Sequence, residues 1–260
     1  MRYGEAFERL VEVMARLREP GGCPWDREQT LESLRQWLLE ETYEVLEAID
    51  DGDPETHRDE LGDLLLQVVF QARIRQEEGA FDAADVADAI SEKMRRRHPH
   101  VFGDEQADDA AAVSKRWSEL KEAEKGRQSA LDGVPAALPA LLRASRIGEK
   151  AAGVGFDWPD QIGVLSKLDE ERAELTEAVL CGDAKAIHHE AGDYLFTVVN
   201  LCRHLGVDPE SALQDTTRRF ERRFREVEGT ARDEGHRLRD LELDDLEARW
   251  QAAKRKLESE

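Results

Sequence analysis

The stretch "LEETYEVLEAIDDGDPETHRDELGDLLLQVVF", residues 39–70, places five carboxylates, Glu40, Glu41, Glu44, Glu60 and Asp63, along segments otherwise patterned for burial. In the segment from residue 34 to 50, Leu34, Trp37, Leu38, Val45, Ala48 and Ile49 recur at helical spacing, and Glu41 occupies the gap in that apolar stripe. Glu44 lies one turn further on, sharing its face. The next helix, over residues 55–73, is apolar nearly all round, as expected of a helix packed on several sides, and carries Glu60 and Asp63 three apart. Between them, "DDGDPE" reads as a tight reversal. Gly52 suits a left-handed C-terminal cap, Asp53 caps the following helix and Pro54 fits its first position.

Folding about residue 52 decides where the acids go. Glu44 and Glu60 are each eight residues from the pivot, and Glu41 and Asp63 are each eleven. In an antiparallel hairpin Glu44 therefore faces Glu60 and Glu41 faces Asp63. The nearer pair stands roughly 12 Å from the bend. Four carboxylates at one level repel and are pushed toward protonation unless a cation lies among them. An all-oxygen set suits a hard ion, Mg²⁺ or Mn²⁺, rather than zinc. A di-iron bundle wants Glu-x-x-His on two helices, and that motif is absent from the chain. Magnesium prefers a few carboxylates plus substrate phosphates, so the ligand set itself points to a phosphorylated substrate.

The arrangement occurs twice. A shift of 130 residues lays "EETYEVLEAIDDGDPETHRDELGDLLLQVV" on "EERAELTEAVLCGDAKAIHHEAGDYLFTVV", with Glu170, Glu171, Glu174, Glu190 and Asp193 on the five acids without a gap. "KMRRR" at 93–97 aligns with "RFERR" at 219–223, and each half ends in W-x-x-x-K, at Trp117 to Lys121 and Trp250 to Lys254. One acidic motif in a chain with 58 acids is ordinarily a solvated face. Its duplication in register, with Glu41 and Glu171 kept in core-facing slots, is not explained by solvation. Strand signals are nearly absent, and Gly and Pro cluster at a few breaks, so the expected fold is all-α. It comprises two tandem helical-bundle domains, residues 1–121 and 145–260, joined by a linker or crossing segment over 122–144.

The bulk composition agrees. A net charge of −21 argues against nonspecific nucleic-acid binding and against an anionic membrane surface. The longest uncharged run, Gly133 to Leu142, has 10 residues and two prolines, too short to span a bilayer. Cys23, Cys181 and Cys202 form neither a CxxC pair nor a disulfide framework, which fits a reduced, cytoplasmic setting. The first helix carries Phe7, Leu10, Val11, Met14 and Leu17 as one stripe with charges between them, unlike a signal peptide. His188 and His189 read as surface residues, since a hard-ion site does not favour imidazole.

On these residues the chain resembles the all-α nucleoside triphosphate pyrophosphohydrolases, marked by E-E-x-x-E followed by E-x-x-D. The segments "GGCPWDREQT", "LEETYEVLEAI", "ELGDLLLQVVF", "RRRHPHVFGD" and "NLCRHLGVDPESAL" are similar to the tandem-domain MazG family, and the likeness covers essentially the whole chain. It implies Mg²⁺-dependent hydrolysis of nucleoside triphosphates to monophosphate and pyrophosphate, with loose base preference and a role in clearing nucleotides. It also implies an intertwined homodimer. Carried over, Glu171, Glu174, Glu190 and Asp193 hold the metal in the second repeat, with Glu41, Glu44, Glu60 and Asp63 as first-repeat equivalents. Glu170 and Glu40 orient the attacking water; Lys167, Arg219 and Arg223 neutralise phosphates. Trp250, with Lys254 one turn later, stacks on base or ribose, and Lys121 is the first-repeat counterpart of Lys254. A π-face reads every base alike, in keeping with a promiscuous enzyme. Two other readings compete: a non-catalytic helical scaffold or regulator whose acids serve only solubility, and a narrower enzyme for dUTP or phosphoribosyl-ATP.

Overall fold

The computed structural model describes residues 2–103 and 129–258. Trp117 and Lys121, and with them the first-repeat W-x-x-x-K, lie outside the described residues. The chain divides into two compact units, Met1–Lys125 and Gly126–Glu260. Among the described residues the regular elements are all helical, as the spacing predicts.

In the first unit, α1 (Arg2–Arg18) and the short α2 (Pro24–Glu28) precede the hairpin of α3 (Leu34–Asp51) and α4 (Pro54–Glu77). Then come α5 (Ala83–Arg97) and the single turn α6 (Pro99–Phe102). The reversal has the expected chemistry. Gly52 is left-handed, with φ 71°, and the Asp53 side chain accepts from the backbone N–H groups of Glu55 and Thr56. The core consists of Met14, Leu34, Val69, Phe70 and Ile74, with the α1 stripe and Trp37 packed against it. Arg18 locks α1 onto α4 by a bidentate pair with Glu77 (2.8 and 3.0 Å) while its guanidinium lies over the Phe70 ring.

The second unit repeats the plan around α7 (Ala140–Gly153), α8 (Gln161–Cys181), α9 (Ala184–His204) and α10 (Pro209–Asp233), closing with a 3₁₀ turn (Leu238–Asp240) and α11 (Leu243–Glu258). Gly182 has φ 72°, and Asp183 caps α9 through Lys185 N and Ala186 N, the same joint as in the first hairpin. Helix α7 begins at Ala140, so the last residues of the sequence-assigned crossing segment are already helical. Gly148 lets α7 close on α9: a Cβ there would come within 2.8 Å of Asn200 Oδ1.

One expectation is corrected. Ile49 belongs to the apolar stripe of α3 yet is 53% exposed, and Leu61, Leu65 and Val68 on α4 are also exposed. Within one chain, α4 is not packed on every side. The second hairpin likewise leaves Leu165, Val179, Leu195 and Phe196 open. No helix among the described residues is long and apolar enough to cross a membrane.

Candidate active site

Helical register brings the acids of each hairpin together, because residues three apart on one helix meet their counterparts at the same height on the antiparallel neighbour. In the first unit, oxygens of Glu41, Glu60 and Asp63 lie within 4.8 Å of one another, and Glu44 is near enough for its charge to act on Glu41. Partial burial, then the charges of Asp63 and Glu44, push the Glu41 carboxyl above its usual range. Glu60 is raised too, by burial and by Glu44 and Asp63. Such crowding is what a site for a cation looks like without the cation's charge.

The second hairpin gathers Glu171, Glu174 and Glu190 within the same 4.8 Å. Glu171 is 5% exposed, a rare position for a carboxylate. Its Oε1 receives the Lys167 ammonium at 2.8 Å, and its Oε2 is buried with no hydrogen-bond partner. Lys167 also bonds Glu170 at 2.7 Å. These two carboxylates, Glu170 first, hold the ammonium well above the usual lysine range. Lys167, expected at substrate phosphates, is thus engaged with the acids. Asp193 stands slightly apart. Its Oδ2 is 3.0 Å from His189 Nδ1, which is also 3.5 Å from Glu190 Oε1. His189 is exposed, as read from the sequence, yet it touches two of the acids, a contact that the preference of hard ions for oxygen did not anticipate. An orphaned buried oxygen amid carboxylates fits a divalent cation whose ligands are oxygens. Glu170 and Glu40 are exposed beside the clusters.

The basic helix forms a separate cluster. Arg223 pairs with Glu258 at 3.1 Å, and Arg219 donates to Thr216 Oγ1 at 2.8 Å. Trp250 is half-buried and packs on Phe220 (5.0 Å between centroids), itself stacked on Phe224 at 5.9 Å. Lys254 is exposed one turn beyond. In the first unit, α5 ends at Arg97 because Pro99 follows, and Arg97 is buried.

Sequence reading missed a cavity of about 510 Å³ between α7, α9 and the loop before α8, with Phe156, Trp158, Phe196, Asn200 and Arg203 in its wall. Phe196 and Asn200 follow Asp193 at i+3 and i+7, so the cavity lies along the same stripe of α9, one to two turns past the acids. Its size and aromatic wall suit a flat ring. The segment "GVGFDWPD" at 153–160 carries paired aromatics, Phe156 and Trp158, that are a usable signal for it in the sequence. Asp157 holds the loop down by a bidentate pair with Arg203 (2.8 and 2.5 Å) and a 3.0 Å contact to His204 Nε2. The Arg203 bonds, then that to His204, keep the Asp157 carboxyl far below its usual range. A carboxyl depressed on folding stabilises at pH above its unfolded value, about 3.9, and loses that contribution as pH falls through the folded value. Asp157→Asn should therefore cost about 1–2 kcal/mol at neutral pH, and the deficit should shrink as a denaturant series is carried toward pH 2. A deficit constant with pH would sink the charge-based account.

The sequence pattern of the MazG nucleotide pyrophosphohydrolase domain matches residues 29–102 and 161–227, one segment on each hairpin. The chain belongs to that family. It is 48% identical over 257 residues to a nucleoside triphosphate pyrophosphohydrolase of Escherichia coli (strain K12), covering 96% of this chain and 97% of the other. It is 47% identical over 253 residues to the nucleoside triphosphate pyrophosphohydrolase/pyrophosphatase MazG of Thermotoga maritima, covering 96% of each. The uncharacterized protein YabN of Bacillus subtilis is 45% identical over 254 residues, 95% of this chain and 51% of YabN.

Proposed function

We propose that the protein hydrolyses nucleoside triphosphates to the monophosphate and pyrophosphate with Mg²⁺, which Mn²⁺ can replace, and with broad base tolerance. The observation that carries this is the second hairpin's carboxylate cluster, with a buried, unpartnered Glu171 oxygen among acids of a family whose relatives are named for this reaction. Glu171, Glu174, Glu190 and Asp193 would hold the metal, as would Glu41, Glu44, Glu60 and Asp63 in the first repeat. A bound Mg²⁺ supplies Lewis-acid neutralisation of phosphate oxygens and lowers the pKa of a water. Glu170, exposed at the edge of the cluster, accepts a proton from the attacking water and orients it toward the α-phosphorus. Arg219 and Arg223 exchange their present partners, Thr216 and Glu258, for triphosphate oxygens, and Trp250 with Lys254 borders that helix. The deciding assay is product identification with each of the four ribonucleoside triphosphates. Monophosphate plus pyrophosphate is expected; diphosphate plus phosphate, or no turnover by folded protein with Mg²⁺, would refute the reading.

Replacing Arg219 or Arg223 with Ala should lower kcat/KM about 10- to 100-fold, the effect of losing one charged hydrogen bond. The loss should be similar on all four nucleotides, because the triphosphate is common to them. A loss confined to one base would move this helix away from the phosphates.

The same reading makes the protein a homodimer, supported by the apolar residues that both hairpins leave open, Leu61, Leu65, Leu195 and Phe196 among them. Light scattering coupled to size exclusion should give twice the chain mass, and a monomer at micromolar concentration would count against it.

A further inference from the structure

Lys167 sits in the second acidic centre at a position that the first repeat fills with Trp37. It precedes Glu170 by three residues and Glu171 by four, so one helical face carries all three. Its ammonium meets Glu170 Oε1 at 2.7 Å and Glu171 Oε1 at 2.8 Å. On Glu171, therefore, one oxygen is taken and the other, Oε2, is buried and free of partners. The side chain is 6% exposed, so water does not readily supply the missing contact. A carboxylate in this state is not free to rotate without breaking its single strong bond, and one of its oxygens lies within 4.8 Å of carboxylate oxygens of Glu174 and Glu190. In the first repeat the same position is Trp37, which packs into the core and meets Trp25 edge-on at 6.2 Å. Among the described residues, no lysine is paired with Glu41.

We propose that Lys167 is a positioning residue: it fixes Oε1 of Glu171 and thereby leaves Oε2 as the oxygen that faces the metal. This rests on the metal-site reading above and revises the role assigned to Lys167 by resemblance, which was neutralising substrate phosphates. Partners that orient a ligand are worth nearly as much as the ligand, because a metal with strict octahedral demands tolerates little angular error. The ammonium also offsets part of the repulsion between Glu170 and Glu171, so the pair keeps its geometry before any metal arrives.

The alternatives differ in sign, which makes the test decisive. Mn²⁺ binding is measured by electron paramagnetic resonance on the full-length chain carrying Glu44→Gln and Glu60→Gln to disable the first site, and on Lys167→Met and Lys167→Gln made in that parent. Gln keeps a hydrogen-bond donor and loses the charge; Met loses both. Positioning predicts that Met loosens Mn²⁺ about 10- to 100-fold and that Gln recovers most of the loss. Tighter Mn²⁺ binding in both variants would make Lys167 a competing cation and overturn the proposal. An unchanged Mn²⁺ affinity in the Met variant with a raised KM for nucleotide would make it a phosphate ligand, overturning it equally. A parent that binds no Mn²⁺ before position 167 is altered would instead refute the metal-site reading and remove the proposal with it.

Discussion

In the full-length protein, Glu174→Gln is expected to reduce Mg²⁺-dependent turnover by more than about 100-fold, the upper end of what even an outer-shell partner of a metal contributes. Glu44→Gln should change it by less than about threefold, since a site that carries little turnover has little to lose. Both hairpins assemble the same acids, so metal ligation does not by itself distinguish them. Their surroundings do. The second site has Lys167 on Glu170 and Glu171, where the first has Trp37 in the core. The second basic helix runs from Pro209 to Asp233, 25 residues, whereas α5 stops after 15 at Arg97 because Pro99 follows. Arg97, the counterpart of Arg223, is buried, and a buried guanidinium is poorly placed for a substrate entering from solvent. Fewer cations within reach of a triphosphate mean weaker neutralisation at the first site. Circular dichroism should show both variants folded, since removing one of several mutually repelling acids relieves strain. If Glu44→Gln removes most activity and Glu174→Gln spares it, the assignment of turnover to the second repeat fails.

The second large effect is on stability. Mg²⁺ at about 100 times its Kd should stabilise the folded state by about 2.7 kcal/mol per occupied site, or raise Tm by roughly 5–10 °C for a unit of this size, reversibly with EDTA. The metal-free protein should also show a definite pH slope. Glu41 and Glu60 have carboxyls raised above their ordinary values on folding, by burial and by neighbouring acids. A carboxyl raised on folding binds its proton more tightly in the native state, so its cost is absent at low pH and appears as pH rises through the raised value. Without metal, stability should therefore fall as pH climbs past the ordinary carboxylate range. With saturating Mg²⁺ that slope should flatten, because the cation supplies the missing positive charge. Glu41→Gln should mimic the metal by raising the metal-free Tm at neutral pH. A Tm indifferent to Mg²⁺ at millimolar concentration would instead favour a helical scaffold whose acids serve only solubility.

Much of this protein is legible from its residues because the signals are local. Gly52-Asp53-Pro54 and Gly182-Asp183 dictate the two reversals by backbone geometry and capping alone. Once a hairpin pivots at a known residue, spacing on two helices decides which acids share a level. That is why spacing alone pairs Glu41 with Asp63, 22 positions apart, and why the repeated acids stand as two clusters. The α1 stripe and the stop at Arg97 follow from the same short-range rules.

What only the tertiary structure decided are contacts whose partners are remote in sequence, or choices between two nearby partners. Ile49 and Leu65 are apolar at helical spacing, but periodicity gives a face without saying whether anything covers it; in one chain both are exposed. Asp157 meets Arg203 across 46 residues, and the cavity beside them lies where Gly148 admits α7 close to α9. Trp250 rests on Phe220, thirty residues upstream, which no short motif announces. Lys167 had both a carboxylate and a phosphate as conceivable partners; its spacing allowed Glu170 and Glu171, and the folded arrangement puts it on them. Helix and turn chemistry act over four residues and so can be read along the chain. Burial and the pairing of charges depend on which surfaces meet, and that is a property of the folded arrangement alone.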